Sequence, residues 1–190
     1  MLLHEGSVKF RAIEESDLKT LQFMFNSEEM NELTTGTAVP VSYAHQLDWF
    51  HNVAKHDKSA FRFMVDNLDG ETVGMVAIGG FNQYARTAMS VAFKILPEFR
   101  SKGYFKDMLE LKLKIAFFDL NVRMYCAECL DVDESIRHRL TTTGFTHEAT
   151  LRDRVYKNGR YYDLAHWSIT VEEYLKHHEN DETIKALLPG

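Results

Sequence analysis

This 190-residue chain lacks most of the features that mark a specialised class of protein. It has three prolines and no low-complexity tract, so no long disordered segment is expected away from its ends. No apolar run approaches the roughly 18 residues needed to span a bilayer. Met1-Leu2-Leu3-His4-Glu5 lacks the basic region and long apolar stretch of a secretory signal. These absences predict a protein without membrane association, resident in the cytoplasm. No Gly-x-Ser-x-Gly elbow, P-loop or nucleotide-binding glycine triplet occurs, which leaves hydrolase, kinase and dehydrogenase readings without support. Positive charge is in the minority, 22 Lys and Arg against 28 Asp and Glu for a net charge of -6. That balance argues against a nucleic-acid partner and fits a neutral or cationic substrate, although plain solubility accounts for it as well.

Cysteine is scarce too. The two present, Cys126 and Cys129, form a C-x-x-C inside Arg123-Met-Tyr-Cys-Ala-Glu-Cys-Leu130, which reads as a strand. Odd spacing on a strand puts the thiols on opposite faces, and no second ligand pair follows. They are expected to be free thiols, half-buried or in the core. Among the nine histidines, His51 and His56, or His177 and His178, have no supporting ligands at metal-binding spacing. No metal is expected.

What is present is enough hydrophobic residue, 45% of the chain, for one compact domain over residues 1–175, followed by a charged tail over 176–190. Val8-Lys9-Phe10-Arg11-Ala12-Ile13 alternates as a first strand. Glu14-Glu15-Ser16-Asp17 then offers helix-start chemistry before Leu18, Leu21 and Phe25. Ser42 is a candidate N-cap for a second helix carrying Ala44, Leu47, Trp49, Phe50 and Val53. The middle is strand-rich: 60–65, then Asp69-Gly70 as a hairpin turn, then 71–81 and 87–95. Phe105, Leu109, Leu113, Ala116, Phe117 and Leu120 recur at helical spacing over 103–120. A strand around Tyr125, a helix over about 133–142 and a hairpin turning at Asn158-Gly159 complete an α+β domain around one sheet. In the tail, Ile184, Leu187 and Leu188 fall at helical spacing and could dock on the body or a partner; a frayed terminus is the default.

The chemistry concentrates at Pro97-Glu98-Phe99-Arg100-Ser101-Lys102-Gly103-Tyr104, between a strand and the long helix. The first turn of a helix has unpaired N–H groups, and its dipole places about half a positive charge there. Gly103 allows close approach, and Arg100 and Lys102 add full charges, so the turn can cradle a pyrophosphate.

The run Phe93-Lys94-Ile95-Leu96-Pro97 through Tyr104 resembles the coenzyme A signature of the GNAT superfamily of N-acetyltransferases, (Gln/Arg)-x-x-Gly-x-(Gly/Ala) after a bulged strand. Gly144-Phe145 is similar to the Gly-Phe of the family's next unit. Phe10 to Asp17 and Tyr156 to Asp163 resemble the branch that acts on spermidine and on ribosomal-protein N-termini. The resemblance covers roughly 8–172. It implies a mostly antiparallel six- to seven-stranded sheet with helices on both faces and a splayed central parallel pair. It further implies acetyl-CoA as co-substrate, paired through its pantetheine arm with Phe93, Lys94 and Ile95. N–H groups from Arg100, Ser101, Lys102, Gly103, Tyr104, Phe105 and Lys106 would hold the pyrophosphate. The thioester would lie where the parallel strands part, and an amine, whether a small amine, a polyamine or a protein N-terminus, would attack it directly in a ternary complex. Terminal strands of related proteins serve as dimer edges, which makes a homodimer an expectation.

Three positions depart from that pattern. The last small residue of the signature is Phe105; a phenylalanine there either crowds the diphosphate or points into the core. The tyrosine that protonates the leaving thiolate is Leu140, and the asparagine that contacts the pantetheine arm is Asp133. Replacement proton donors would come from Tyr104, Tyr125, His138 or Thr141. Glu28, Glu29 and Glu32 would bind a cationic amine, or form a solvated acidic face. The three departures also motivate a second reading: a GNAT-fold protein that has lost catalysis and serves as a binding or structural subunit.

Overall fold

The computed structural model describes residues 3–36, 39–52 and 59–187; Val53, His56 and Leu188 lie outside these. A single sheet of eight strands among the described residues runs in the order β1-β2-β3-β4-β5-β6-β8-β7. The strands are β1 (His4–Glu5), β2 (Val8–Arg11), β3 (Ala60–Asn67), β4 (Thr72–Asn82), β5 (Thr87–Ile95), β6 (Met124–Leu130), β7 (Thr146–Lys157) and β8 (Arg160–Thr170). All neighbours are antiparallel except β5 and β6. The two-residue β1 was not legible in the sequence; Gly6, at φ +50, turns it back onto β2.

Helices cover both faces. α1 (Leu18–Asn26), α2 (Glu28–Asn31) and α3 (Tyr43–Asn52) lie on one side, where Leu18, Leu21 and Met24 pack with Met64 and Met75. α4 (Tyr104–Lys114) and α5 (Glu134–Thr142) lie on the other, over Val8, Phe10, Val76 and Ile78. Ser42 caps α3 as expected, accepting from the His45 N–H at 3.1 Å. The polar stretch 26–41 contains the short α2, capped by Ser27.

The long helix stops earlier than its apolar stripe suggests. After Lys114 the chain makes a π-helical turn over Ile115–Asp119, and the wider turn still buries Ala116 and Phe117. The Asn158-Gly159 turn is the two-residue hairpin expected, with positive φ at both residues and Lys157 opposite Arg160.

The tail differs from a frayed end. α6 (Val171–His177) carries fully buried Tyr174, and α7 (Glu182–Lys185) places Ile184 in the main core. That segment docks on the body.

Candidate active site

The central feature is a fork. β5 pairs with β6 only at Thr87↔Met124, Ala88↔Tyr125 and Met89↔Cys126. Beyond Met89, Ser90 to Ile95 stay on β4 alone, so one edge of this segment carries no strand. Phe93, Lys94 and Ile95 belong to it. Gly74 permits the tight β4 contact, since a Cβ there would stand 2.0 Å from the Lys94 carbonyl oxygen.

At the far end of β5, a 3-10 turn over Pro97–Phe99 leads into α4. Ser101 and Gly103 take positive φ, 60° and 91°, and only the second suits its residue type; a left-handed serine marks local strain at a place of chemical interest. α4 starts without any side-chain cap; among the described residues the Tyr104 and Phe105 N–H groups are left open, whereas the Lys106 N–H, expected to face the pyrophosphate, donates to the Gly103 carbonyl at 3.1 Å. An added Cβ at Gly103 would meet nothing within 4 Å, so the cradle is open. Arg100, Lys102 and Lys106 are exposed around it, Lys102 with its ammonium 5.2 Å from the Phe99 ring. Open amides plus three cations are a donor set that fits a diphosphate.

Phe105 leaves that cradle clear. Its ring packs 4.8 Å from Phe93 and is covered by Arg139 at 4.7 Å, on the core side of α4. Asp133 also has a local explanation: it is buried and caps α5, accepting from the Ile136 N–H at 3.1 Å. Leu140 is a core residue at 3% exposure.

The structure separates the candidate proton donors. His138 and Thr141 are exposed, and the Thr141 hydroxyl donates to the Arg137 carbonyl at 2.9 Å. Tyr104, the first residue of α4, stands edge-on to Phe99. Of the four, Tyr125 is the one in the parallel pair: it is fully buried, and burial pushes its phenol well up while a hydrogen bond with Ser90 pulls the other way.

The acidic candidates are partly compensated by the chain's own cations. Glu28 is exposed. Glu29 pairs with Arg100 at 2.5 Å, which ties an acceptor candidate to a phosphate candidate. Glu32 lines a cleft of about 320 Å³ with Leu33, Val132, Asn158, Arg160 and Tyr162. Beside it, Lys157 binds the carbonyls of Asn31 and Thr34. Lys94 donates to Asn31 Oδ1 at 2.8 Å, its amine lowered to about 8 by burial and by Lys157 and Arg100.

Both cysteines are free. Burial raises both thiols, Cys129 to about 11, which is the opposite of activation. No three metal-type ligands converge among the described residues.

Sequence reasoning passed over one residue. Lys112, on the inner side of α4, is wholly buried, and its Nζ donates to Ser90 Oγ at 2.7 Å and to the Ala92 carbonyl at 2.9 Å. A lysine at an interior position of an apolar stripe was the available signal.

A splayed parallel pair, an uncapped glycine-led helix beside it and helices on both faces define an acetyltransferase architecture. Residues 10–167 match the acetyltransferase (GNAT) domain family, and the chain belongs to it as an N-acetyltransferase. It is similar to the spermidine N(1)-acetyltransferase of Vibrio cholerae, 26% identical over 175 residues that span 92% of this chain and 99% of the relative. A putative ribosomal N-acetyltransferase of Bacillus subtilis, YdaF, is 27% identical over 106 residues, 56% of this chain and 57% of the relative. In three dimensions the fold matches the Vibrio cholerae spermidine N-acetyltransferase solved with CoA and spermine. The TM-score is 0.82 at 24% identity, covering 89% of this chain and 98% of that one. Among the described residues no helix is long and apolar enough to cross a membrane.

Proposed function

We infer that the protein transfers an acetyl group from acetyl-CoA to a primary amine by direct attack in a ternary complex. The observation that carries this is the free edge of Ser90 to Ile95 leading straight to the open amides at Gly103. An extended pantetheine arm can pair with such an edge as an added strand, and the first turn of α4 can take the diphosphate. The acceptor would enter from the cleft at Glu32 and Arg160. Its mixed charge suits a small amine or a peptide N-terminus as well as a polyamine.

A second reading keeps the fold and drops the chemistry: a catalytically degenerate GNAT protein acting as a binding or structural subunit. It is motivated by Leu140, an apolar core side chain that has no proton to donate.

Thermal unfolding with acetyl-CoA, followed by turnover on a panel of amines, separates the two. Ligand that binds only the native state raises the melting temperature in a saturable way, and the enzyme acetylates at least one amine class. No shift at millimolar acetyl-CoA removes the enzyme reading; a shift without turnover leaves the binding subunit.

A further inference from the structure

β6 and β8 turn one face to the main core through Tyr125, Ala127 and Cys129 and through Ala165, Trp167 and Ile169. Their alternate residues stand on the other face, the side on which α1 to α3 lie. The register of that face runs Cys126↔Ser168, Glu128↔His166 and Leu130↔Leu164. Cys126 is also the last residue of β6 to pair with β5, opposite Met89. Glu128 is therefore the first residue on this face beyond the point where the strands part, with His166 beside it on β8. From there Leu130 and Leu164 lead toward Val132 and Tyr162 of the cleft.

The pair is arranged as an acid–base unit. His166 Nδ1 meets Glu128 Oε1 at 3.2 Å. With a proton on Nδ1, donated to the carboxylate, Nε2 keeps a free lone pair, and it makes no hydrogen bond among the described residues. Both side chains remain open to an approaching molecule, 28% exposed for His166 and 30% for Glu128. Next to them are Cys126 on β6 and Glu148 on β7, which accepts from the buried Ser168 hydroxyl at 2.5 Å. Burial raises the Cys126 thiol, and Glu148 and Glu128 raise it further. The field at the fork on this face is therefore negative, which suits a cationic amine and an imidazolium.

We propose that His166 is the base of the acetyl transfer, oriented and counter-charged by Glu128. The proposal rests on the reading that the thioester lies in the fork between β5 and β6. The acceptor ammonium gives one proton to His166 Nε2. The neutral amine then attacks the acetyl carbon; the N–C bond forms, the C–S bond breaks and the sulfur leaves as thiolate. A second proton of the attacking nitrogen goes to that thiolate, which gives coenzyme A as the thiol, and His166 returns its proton to water. No donor is needed at the position of Leu140.

The test compares steady-state turnover of the wild type, His166→Gln and Glu128→Gln on an amine that the wild type acetylates. His166→Gln should lower kcat about 100-fold or more, and added imidazole should restore part of the loss in a dose-dependent way. Its affinity for acetyl-CoA, read by calorimetry, should stay within about twofold, since the histidine acts on the acceptor. In Glu128→Gln the acid limb of the kcat–pH profile should move to lower pH by at least about half a unit, because the imidazolium has lost its counter-charge. A kcat for His166→Gln within about threefold of the wild type overturns the proposal and leaves the acetyltransferase reading standing. So does a loss that imidazole leaves untouched together with an unmoved acid limb in Glu128→Gln, which is the result of a merely structural pair. A wild type that binds acetyl-CoA and acetylates no amine overturns both readings. The pH profile of Glu128→Gln decides alone if His166→Gln does not fold.

Discussion

At the scale of single residues, the protein carries an unusual number of lysines out of water. Lys94 lies between Asn31 and the Phe25 ring, with Lys157 and Arg100 near enough to repel it. Its amine titrates near 8 in the native state against 10.5 in the unfolded chain. Between those values the unfolded chain holds a proton that the native protein has released, so stability should rise with pH across that window. Lys112 and Lys157, also lowered, add to the same trend. Urea unfolding of Lys94→Met from about pH 8 to about pH 10.5 should show a shallower rise than the wild type. An unchanged slope would mean that Lys94 stays charged in the fold. Under the proposed function the same lowering would matter, because Lys94 lies on the strand assigned to the pantetheine arm.

At the scale of elements, the notable contact joins α2 to the turn before α4. Glu29 and Arg100 are far apart in sequence and close in space, 2.5 Å between their charged atoms, with both side chains well exposed. An exposed pair of this kind is worth about 0.2–1 kcal/mol. While it lasts, it withholds part of the Arg100 charge from the cradle. Glu29→Gln should therefore tighten acetyl-CoA by about two- to fivefold, read by calorimetry at low salt, with the gain fading as salt is added. A loss of affinity would instead show that the pair holds Arg100 in place for the phosphates.

At the scale of the molecule, one sheet organises everything, and the C-terminal segment closes it. Tyr174 bonds to Glu110 on α4, and Ile184 is enclosed in the core that also contains Leu140 and Phe145. Ile184→Ala should cost about 2–4 kcal/mol in chemical unfolding, whereas a loose tail would show no change. How much of this was readable beforehand follows from the range of each force. The turn leading into α4, the Asn158-Gly159 hairpin, the Ser42 cap and the strand 87–95 are set by a few adjacent residues, through φ preferences, capping and alternation, so the sequence alone determined them. Local spacing could not show that Phe105 packs on Phe93, that Glu29 meets Arg100, or that Ile184 is buried. Each of these depends on chain segments brought together only when the sheet forms. Lys112 is the clearest case: its place in a helical stripe marks it as interior, but only the packing of α4 on β5 supplies the Ser90 and Ala92 oxygens that its buried amine bonds to.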